Sequence, residues 1–240
     1  MTALLSRAAL LLALGSALAA FAAGFGSRAG WWHFRTGFQI LTWAAYGGLG
    51  SAILGFIGCL VALRRRQRGK ALVSLVSLVI GLVVVGIPWN MKRTAQQVPP
   101  IHDITTDTQE PPRFVAILPL RKNAPNSAEY VGAVIAVQQQ VAYADLRPLV
   151  LNVSLEQAFS KALAAARDMG WEIVEAKQQE GRIEATDTTF WFGFKDDVVV
   201  RVVPADQGSR IDVRSVSRVG KSDVGANAGR IRAYLERVKR

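Results

Sequence analysis

The chain has 240 residues, half of them apolar, and a formal charge of +11. Its only histidines are His33 and His102 and its only cysteine is Cys59, which excludes an intrachain disulfide framework, a cysteine-based metal site and, given the separation of the histidines, a multi-histidine metal centre. The basic excess does not indicate nucleic acid, because five of the charges sit in one short run between two apolar spans, as in a cytoplasmic membrane loop.

The apolar share concentrates before Trp89, so the chain reads as a membrane region, residues 1–92, followed by one domain. Residues 8–27 form an uncharged run of bilayer length, predicting a first helix over about 5–27. A cleaved signal peptide is the rival reading, with Ala17-Leu-Ala19 as its cleavage signature; the retained helix is favoured because the apolar run continues past Ala19. Trp31, Trp32 and His33 then mark a headgroup belt. A second helix is expected over 38–63. It is rich in Gly47, Gly48, Gly50, Ser51, Gly55 and Gly58, small residues that let another helix approach closely, either within the chain or by self-association. The run Arg64-Arg-Arg-Gln-Arg-Gly-Lys70 is the strongest orientation signal. A short basic loop stays in the cytoplasm, so a third helix over 71–91 runs outward. The expectation is a multi-pass protein of the plasma (inner) membrane, with N-terminus and loop cytoplasmic and a periplasmic or extracytoplasmic C-terminal domain.

Residues 93–113 read as a linker. Pro99-Pro100 and Pro111-Pro112 are poor in helix or sheet interiors, and Asp103, Thr105, Thr106, Asp107 and Thr108 suit a turn segment laid on the domain better than a calcium loop. The domain is expected over 114–240. Residues 114–118 suggest a short extended piece and residues 128–143 a helix, although their many β-branched residues weaken the pattern. Residues 149–153 read as a strand. Ser154 and Gln157 form a capping box for a helix whose apolar face is Leu155, Phe159, Ala162, Leu163, Ala166 and Met169, ended by Gly170. Four strands follow, over 171–176, 182–187, 197–203 and 210–217, separated by turns. In the last, Ile211, Val213 and Ser215 point to one face and Asp212, Arg214 and Val216 to the other. Ser222 is a suitable N-cap for a closing helix over about 223–238. The order β-α-β-β-β-β-α predicts an α+β domain: an antiparallel sheet of four to five strands with the helices on one face, like the helix-grip arrangement.

Three stretches carry a resemblance. Arg210 to Ile231 reads D-x-R-S-x-S-R-x-G-x-S-D-x-G-x-N-x-x-R-I from Asp212 onward, Asp103-Ile-Thr-Thr-Asp-Thr108 precedes Pro111-Pro112, and Tyr143-Ala-Asp-Leu-Arg-Pro148 lies between them. Together with Gly170-Trp171, Glu184-Ala-Thr186 and Phe194-Lys-Asp-Asp197, these resemble the family called domain of unknown function 1499, over roughly 101–238. The resemblance implies no activity and no cofactor, so function has to be argued from the residues.

Two clusters stand out. Asp223, Asn227 and Arg230 share a face of the closing helix, with Arg214, Ser215, Ser217, Arg218 and Ser222 within reach. They are either a ligand-binding site for a phosphate or carboxylate, or an internal network pinning the helix to the sheet. Three arginines each facing a carboxylate or carbonyl would sink the binding reading. Phe190, Trp191, Phe192 and Phe194 are either core packing or an exposed apolar tip touching membrane or partner. No Ser-His-Asp or Cys-His pairing can form, and Asp196 and Asp197 point to opposite faces of a strand, so no catalytic residue is assigned. The expected function is a membrane-anchored envelope protein whose outer domain binds a partner protein or a small anionic or lipid ligand. The alternative is a hydrolase using carboxylates such as Asp196, Asp197 and Asp223. The expected partners are the lipid bilayer, another envelope protein or a second copy through the glycine-rich helix, and not nucleic acid.

Overall fold

A computed structural model describes residues 2–240. These divide into two compact units: the residues up to Arg93 together with Phe190–Gly193, and Thr94–Thr189 together with Phe194–Arg240.

The first unit is built from α1 (Thr2–Arg28), α2 (Phe34–Arg64) and most of α3 (Arg68–Gln97), all three long and apolar enough to cross a membrane. Their buried faces are mostly Ala, Gly and Ser, with Thr2, Leu41 and Val84 among them, and most of their leucines and isoleucines point outward. That inside-out distribution suits helices surrounded by hydrocarbon, where close backbone packing replaces the hydrophobic effect. The glycines of α2 are used within the chain. A Cβ on Gly55 would come within 2.7 Å of the Ser74 carbonyl of α3, and one on Gly48 within 3.0 Å of the Gly81 carbonyl. Ser51 ties the bundle together: its hydroxyl lies 3.1 Å from the carbonyls of both Ala9 on α1 and Ser77 on α3.

The second unit is an antiparallel sheet with helices on one face. Its strands are β1 (Asp103–Thr105), β2 (Leu149–Leu151), β3 (Glu172–Lys177), β4 (Arg182–Thr188), β5 (Lys195–Ala205) and β6 (Gly208–Ser217). They lie in the order β1-β6-β5-β4-β3, with β2 also paired to β6. β1 and β2 therefore sit end to end along β6, β1 against Arg214–Val216 and β2 against Ser209–Ile211. Between them Thr106 stands in for a ladder residue, its N–H donating to the Val213 carbonyl and its hydroxyl accepting from the Val213 N–H. The helix α4 (Ala133–Ala142) closes the free edge of β1, because the Gln139 amide donates to the Thr105 carbonyl at 2.6 Å and accepts from its N–H at 2.9 Å. An edge capped by a side-chain amide offers no row of free groups for another strand.

The core lies between the sheet and the helices α5 (Leu155–Asp168) and α6 (Ala226–Val238). Ile183, Val198, Val200, Ile211 and Val213 point into it from alternate positions, as a period of two requires. Trp171 stacks on Tyr234 at 4.8 Å, and the Tyr234 hydroxyl donates to the Ala162 carbonyl, joining α6 to α5. The capping box of Ser154 and Gln157 starts α5.

Several boundaries differ from the sequence expectation, among them the helix expected over 128–143, which starts at Ala133. The helix α3 continues to Gln97 and Ile101 is already in the core, so little of 93–113 is connecting chain. Asp103–Thr105 is a strand, and the expected turn follows it, with Asp107 accepting from the N–H groups of Gln109 and Glu110. Residues 114–118 are not extended, because the buried Glu184 carboxylate draws the N–H groups of Val115, Ala116 and Ile117 onto itself. The last helix starts at Ala226, since Val224 and Gly225 both take positive φ.

Candidate functional site

The sheet of the second unit has a charged second face. Alternate residues of β4, β5 and β6 place Arg182, Glu184 and Thr186, then Asp197 and Arg201, then Asp212 and Arg214 on the side away from α5 and α6. Residues 106–127 run across that side as a strap, and Phe114 and Ile117 pack on Val199 and Val216 beneath it.

Burying that many charges is costly unless each is paired, and they are. Arg214 makes two bonds to the Asp103 carboxylate, at 2.9 and 2.7 Å, and also donates to the carbonyls of Pro112 and Ala128. Asp197 is held by Arg121 at 2.6 Å, by Arg218 through both carboxylate oxygens at 2.8 Å, and by the Thr186 hydroxyl at 2.7 Å. Burial alone would raise the Asp197 carboxyl, but the hydrogen bonds from Arg218, Thr186 and Arg121 outweigh it and hold the group below its ordinary range. Arg182 is bonded to Glu184, Glu180 and Glu175. Arg201 and Arg210 share Asp212 and Asp107.

A second network lies on the helix side. Arg230 of α6 reaches Asp187 at 2.7 Å and Asp196 at 2.6 Å, and also donates to the Asn227 side-chain oxygen and the Ser215 hydroxyl. Asn227, fully buried, uses its whole amide: it accepts from Ser215 and Arg230 and donates to the His102 carbonyl and the Ser217 hydroxyl. Asp223 caps α6, one oxygen accepting from the Gly225 N–H and the other from the Asn227 N–H. Burial pushes the Asp223 carboxyl up, assisted by Asp196 and opposed by the two N–H groups and by Arg230. Ser222 turns its hydroxyl to the Val224 N–H and does not cap the helix.

The structure therefore brings together the residues singled out in sequence, but splits them between two faces of one sheet. Ser215, Ser217, Asn227, Arg230 and Asp223 meet on the helix side, Arg214 and Arg218 on the strap side. All three arginines face carboxylates. No two of them turn into a shared hollow free of internal acid, which anion binding would need.

Asp103 and Asp187, which pair with Arg214 and Arg230, and Arg121 and Glu184, which complete the strap-side network, were not assigned to a site from the sequence. The signal for Glu184 was present, since Arg182-Ile-Glu-Ala-Thr186 alternates charged or polar with apolar residues. Arg121 and Asp103 carried none, because their contacts span 76 and 111 residues.

A model of the family described as "Protein of unknown function (DUF1499)" matches residues 103–238. The chain belongs to this family. No curated protein and no solved structure matches the chain. The match begins at Asp103 and ends at Val238, so it takes in both networks and the strap of the DUF1499 domain.

Two clefts open on this domain. One, of about 540 Å³, lies beside the strap at Pro111, Pro112, Arg113, Val115 and Val199. Glu110 and Glu180 edge it. Glu180 is exposed, and its hydrogen bond from Arg182, then Lys177, holds it below the ordinary carboxylate range, the wrong direction for a general acid. The other, of about 640 Å³, lies between the start of α5 and the turn 178–181. Asp196, Asp197 and Asp223 line neither. Among the described residues no group of three or more His, Cys, Asp or Glu side chains is placed to hold a metal ion.

Outside both networks, α4 carries an exposed apolar stripe. Val134, Val137 and Val141 follow at i, i+3 and i+7, with Val131 just before them, and Val141 is 83 % exposed. The opposite side of the helix is buried through Ile135, Ala136 and Gln139. The aromatic tip is divided as well: Phe190 is exposed, Phe192 is buried within the first unit with its ring 4.9 Å from Phe38, and Phe194 belongs to the second unit.

Proposed function

We propose that this is a membrane-anchored envelope protein whose DUF1499 domain lies outside the cytoplasm and docks a partner protein through the valine stripe of α4. The observation that carries the reading is the contrast between that stripe and the rest of the domain. The arginines of both networks are committed to internal acids, so they offer little to an anion. Four valines on and just before one short helix are each between 61 and 83 % exposed. The helix has no charged residue. Helices that lie on a membrane surface carry lysine or arginine on the polar face, so a protein groove fits this stripe better than a lipid headgroup layer.

Orientation is supported by charge. Arg7 and the five cations of residues 64–70 lie at one end of the helices, against Arg28, Arg35, Lys92 and Arg93 at the other. A reporter active only outside the cytoplasm, fused after Arg240, should work; activity of a cytoplasm-only reporter there would overturn the localisation. For docking, a photo-crosslinking side chain at position 137 of the full chain in cells should give a discrete protein adduct that the same group at exposed position 167 does not. Adducts with lipid alone, or equal adducts from both positions, would refute the reading.

A further inference from the structure

The first unit contains a cavity of about 500 Å³ near the ends of α1 and α3 that follow the proposed outward direction. Ala17 and Ala20 leave the space on α1, Val83 and Ile87 wall it from α3, and Phe190 and Trp191 roof it. The roof is fixed by the helices themselves. The Trp191 indole packs against Gly24, where any Cβ would collide with it, and donates to the Phe21 carbonyl at 3.3 Å. The Phe190 ring stands edge-on to Phe25 at 5.4 Å, and Arg28 donates to the Phe190 carbonyl.

The charges above the cavity have no acidic partner within the unit. The chain up to Arg93 contains no aspartate or glutamate, nor does Phe190–Gly193. Arg28, Arg35, Lys92 and Arg93 are all exposed at this end of the helices and have no carboxylate in the unit to meet. This is the reverse of the domain, where the arginines of the two networks are met by internal acids. Along α1 the lining runs from Ala17 to Phe25, eight residues of helix, or roughly 12 Å at the usual rise, and Arg28 follows within one turn of its upper end.

We propose that this cavity is a binding slot for one acyl chain of an anionic membrane lipid, whose phosphate sits among Arg28, Arg35, Lys92 and Arg93. An apolar slot of this volume, open to hydrocarbon, forfeits dispersion contacts when empty, and the molecule at hand at that depth is a lipid chain. Since the chain leaves hydrocarbon for a protein wall, little is gained from dehydration, and the selectivity comes from packing and from the charge of the headgroup. The proposal rests on the reading that these helices cross a bilayer and is independent of docking at α4.

The test uses the full chain, first extracted from membranes with alkaline carbonate. Release into the supernatant would overturn the membrane reading and the slot with it. For a chain that stays in the pellet, native mass spectrometry from neutral detergent is run with added phosphatidylglycerol, phosphatidylcholine or glycerol phosphate. The expected result is one retained phosphatidylglycerol, at least tenfold preferred over phosphatidylcholine, and no retained glycerol phosphate. Ala20→Phe, which fills the slot, should remove the adduct, whereas Leu11→Phe on the exposed face of α1 should keep it. Arg28→Gln with Arg35→Gln should keep a lipid adduct but bring the two lipids to parity. Unchanged phosphatidylglycerol retention in Ala20→Phe, or equal retention of the two lipids by the unsubstituted chain, would overturn the slot while leaving the membrane reading intact. Should Ala20→Phe lose its helical circular dichroism, quenching of Trp191 fluorescence by phosphatidylglycerol brominated on its acyl chains decides instead, in a chain whose other tryptophans are phenylalanine: quenching supports the slot, and its absence overturns it.

Discussion

Truncating Asn227 to alanine tests the helix-side network directly. The side chain makes four hydrogen bonds, two donated and two accepted, at a position with no exposure. The losses are unequal. The His102 carbonyl still accepts from the Ser217 N–H, and Arg230 keeps Asp187, Asp196 and Ser215. Ser217 loses the amide that donates to it, and Ser215 loses its acceptor. At about 1 kcal/mol for each neutral bond, with the Arg230 bond partly compensated, the cost is roughly 3 kcal/mol. For a unit of this size that lowers the melting temperature by about 10 °C. The assay is hydrogen exchange of the full chain, read at the amides of β6 and α6, because the side chain joins those two elements. Protection there should fall by the factor corresponding to the same free energy, roughly a hundredfold. A loss below 1 kcal/mol would mean that water replaces the amide, and the network would then be a solvated site and not a buried clamp.

Three further outcomes follow from the pairings. Glu184→Gln keeps the shape but replaces one of the two acceptor oxygens by an NH₂ group, set either against the Ile117 N–H or against those of Val115 and Ala116, so the strap should loosen and trypsin should cut sooner after Lys122; unchanged cleavage would refute the role of the carboxylate. The folded pKa of Asp197 lies below its ordinary 3.8, so its contribution to stability is complete above that value and is lost as pH falls through the folded pKa; Asp197→Asn should flatten the acid limb of a denaturation-against-pH curve. Arg232 and Asp145 form an exposed pair, so Arg232→Ala should cost less than about 1 kcal/mol by urea denaturation, in contrast to Arg214→Ala at the buried Asp103 pair, where about 3–5 kcal/mol is expected.

Local chemistry was legible in the sequence wherever it is periodic or short-range. Three uncharged runs of bilayer length gave the three apolar helices, because chain length and hydropathy need no partner to be read. Ser154 and Gln157 marked the start of α5, and the alternation of Ile211, Asp212, Val213 and Arg214 assigned β6 its two faces. What lay beyond reach was the choice of partners. Asp103 looked like a turn residue because the strand it forms exists only against β6, more than a hundred residues away. The segment after Phe114 looked extended because nothing nearby announces the buried carboxylate that gathers its N–H groups. Arg214, Arg218 and Arg230 advertised a charged cluster in either case. Whether such a cluster binds an anion or only itself depends on where the acids fall. Strand pairing puts Asp103, Asp196 and Asp197 beside them, so the tertiary fold neutralises these three guanidiniums, whereas the helical unit's own sequence contains no acid to meet its cations.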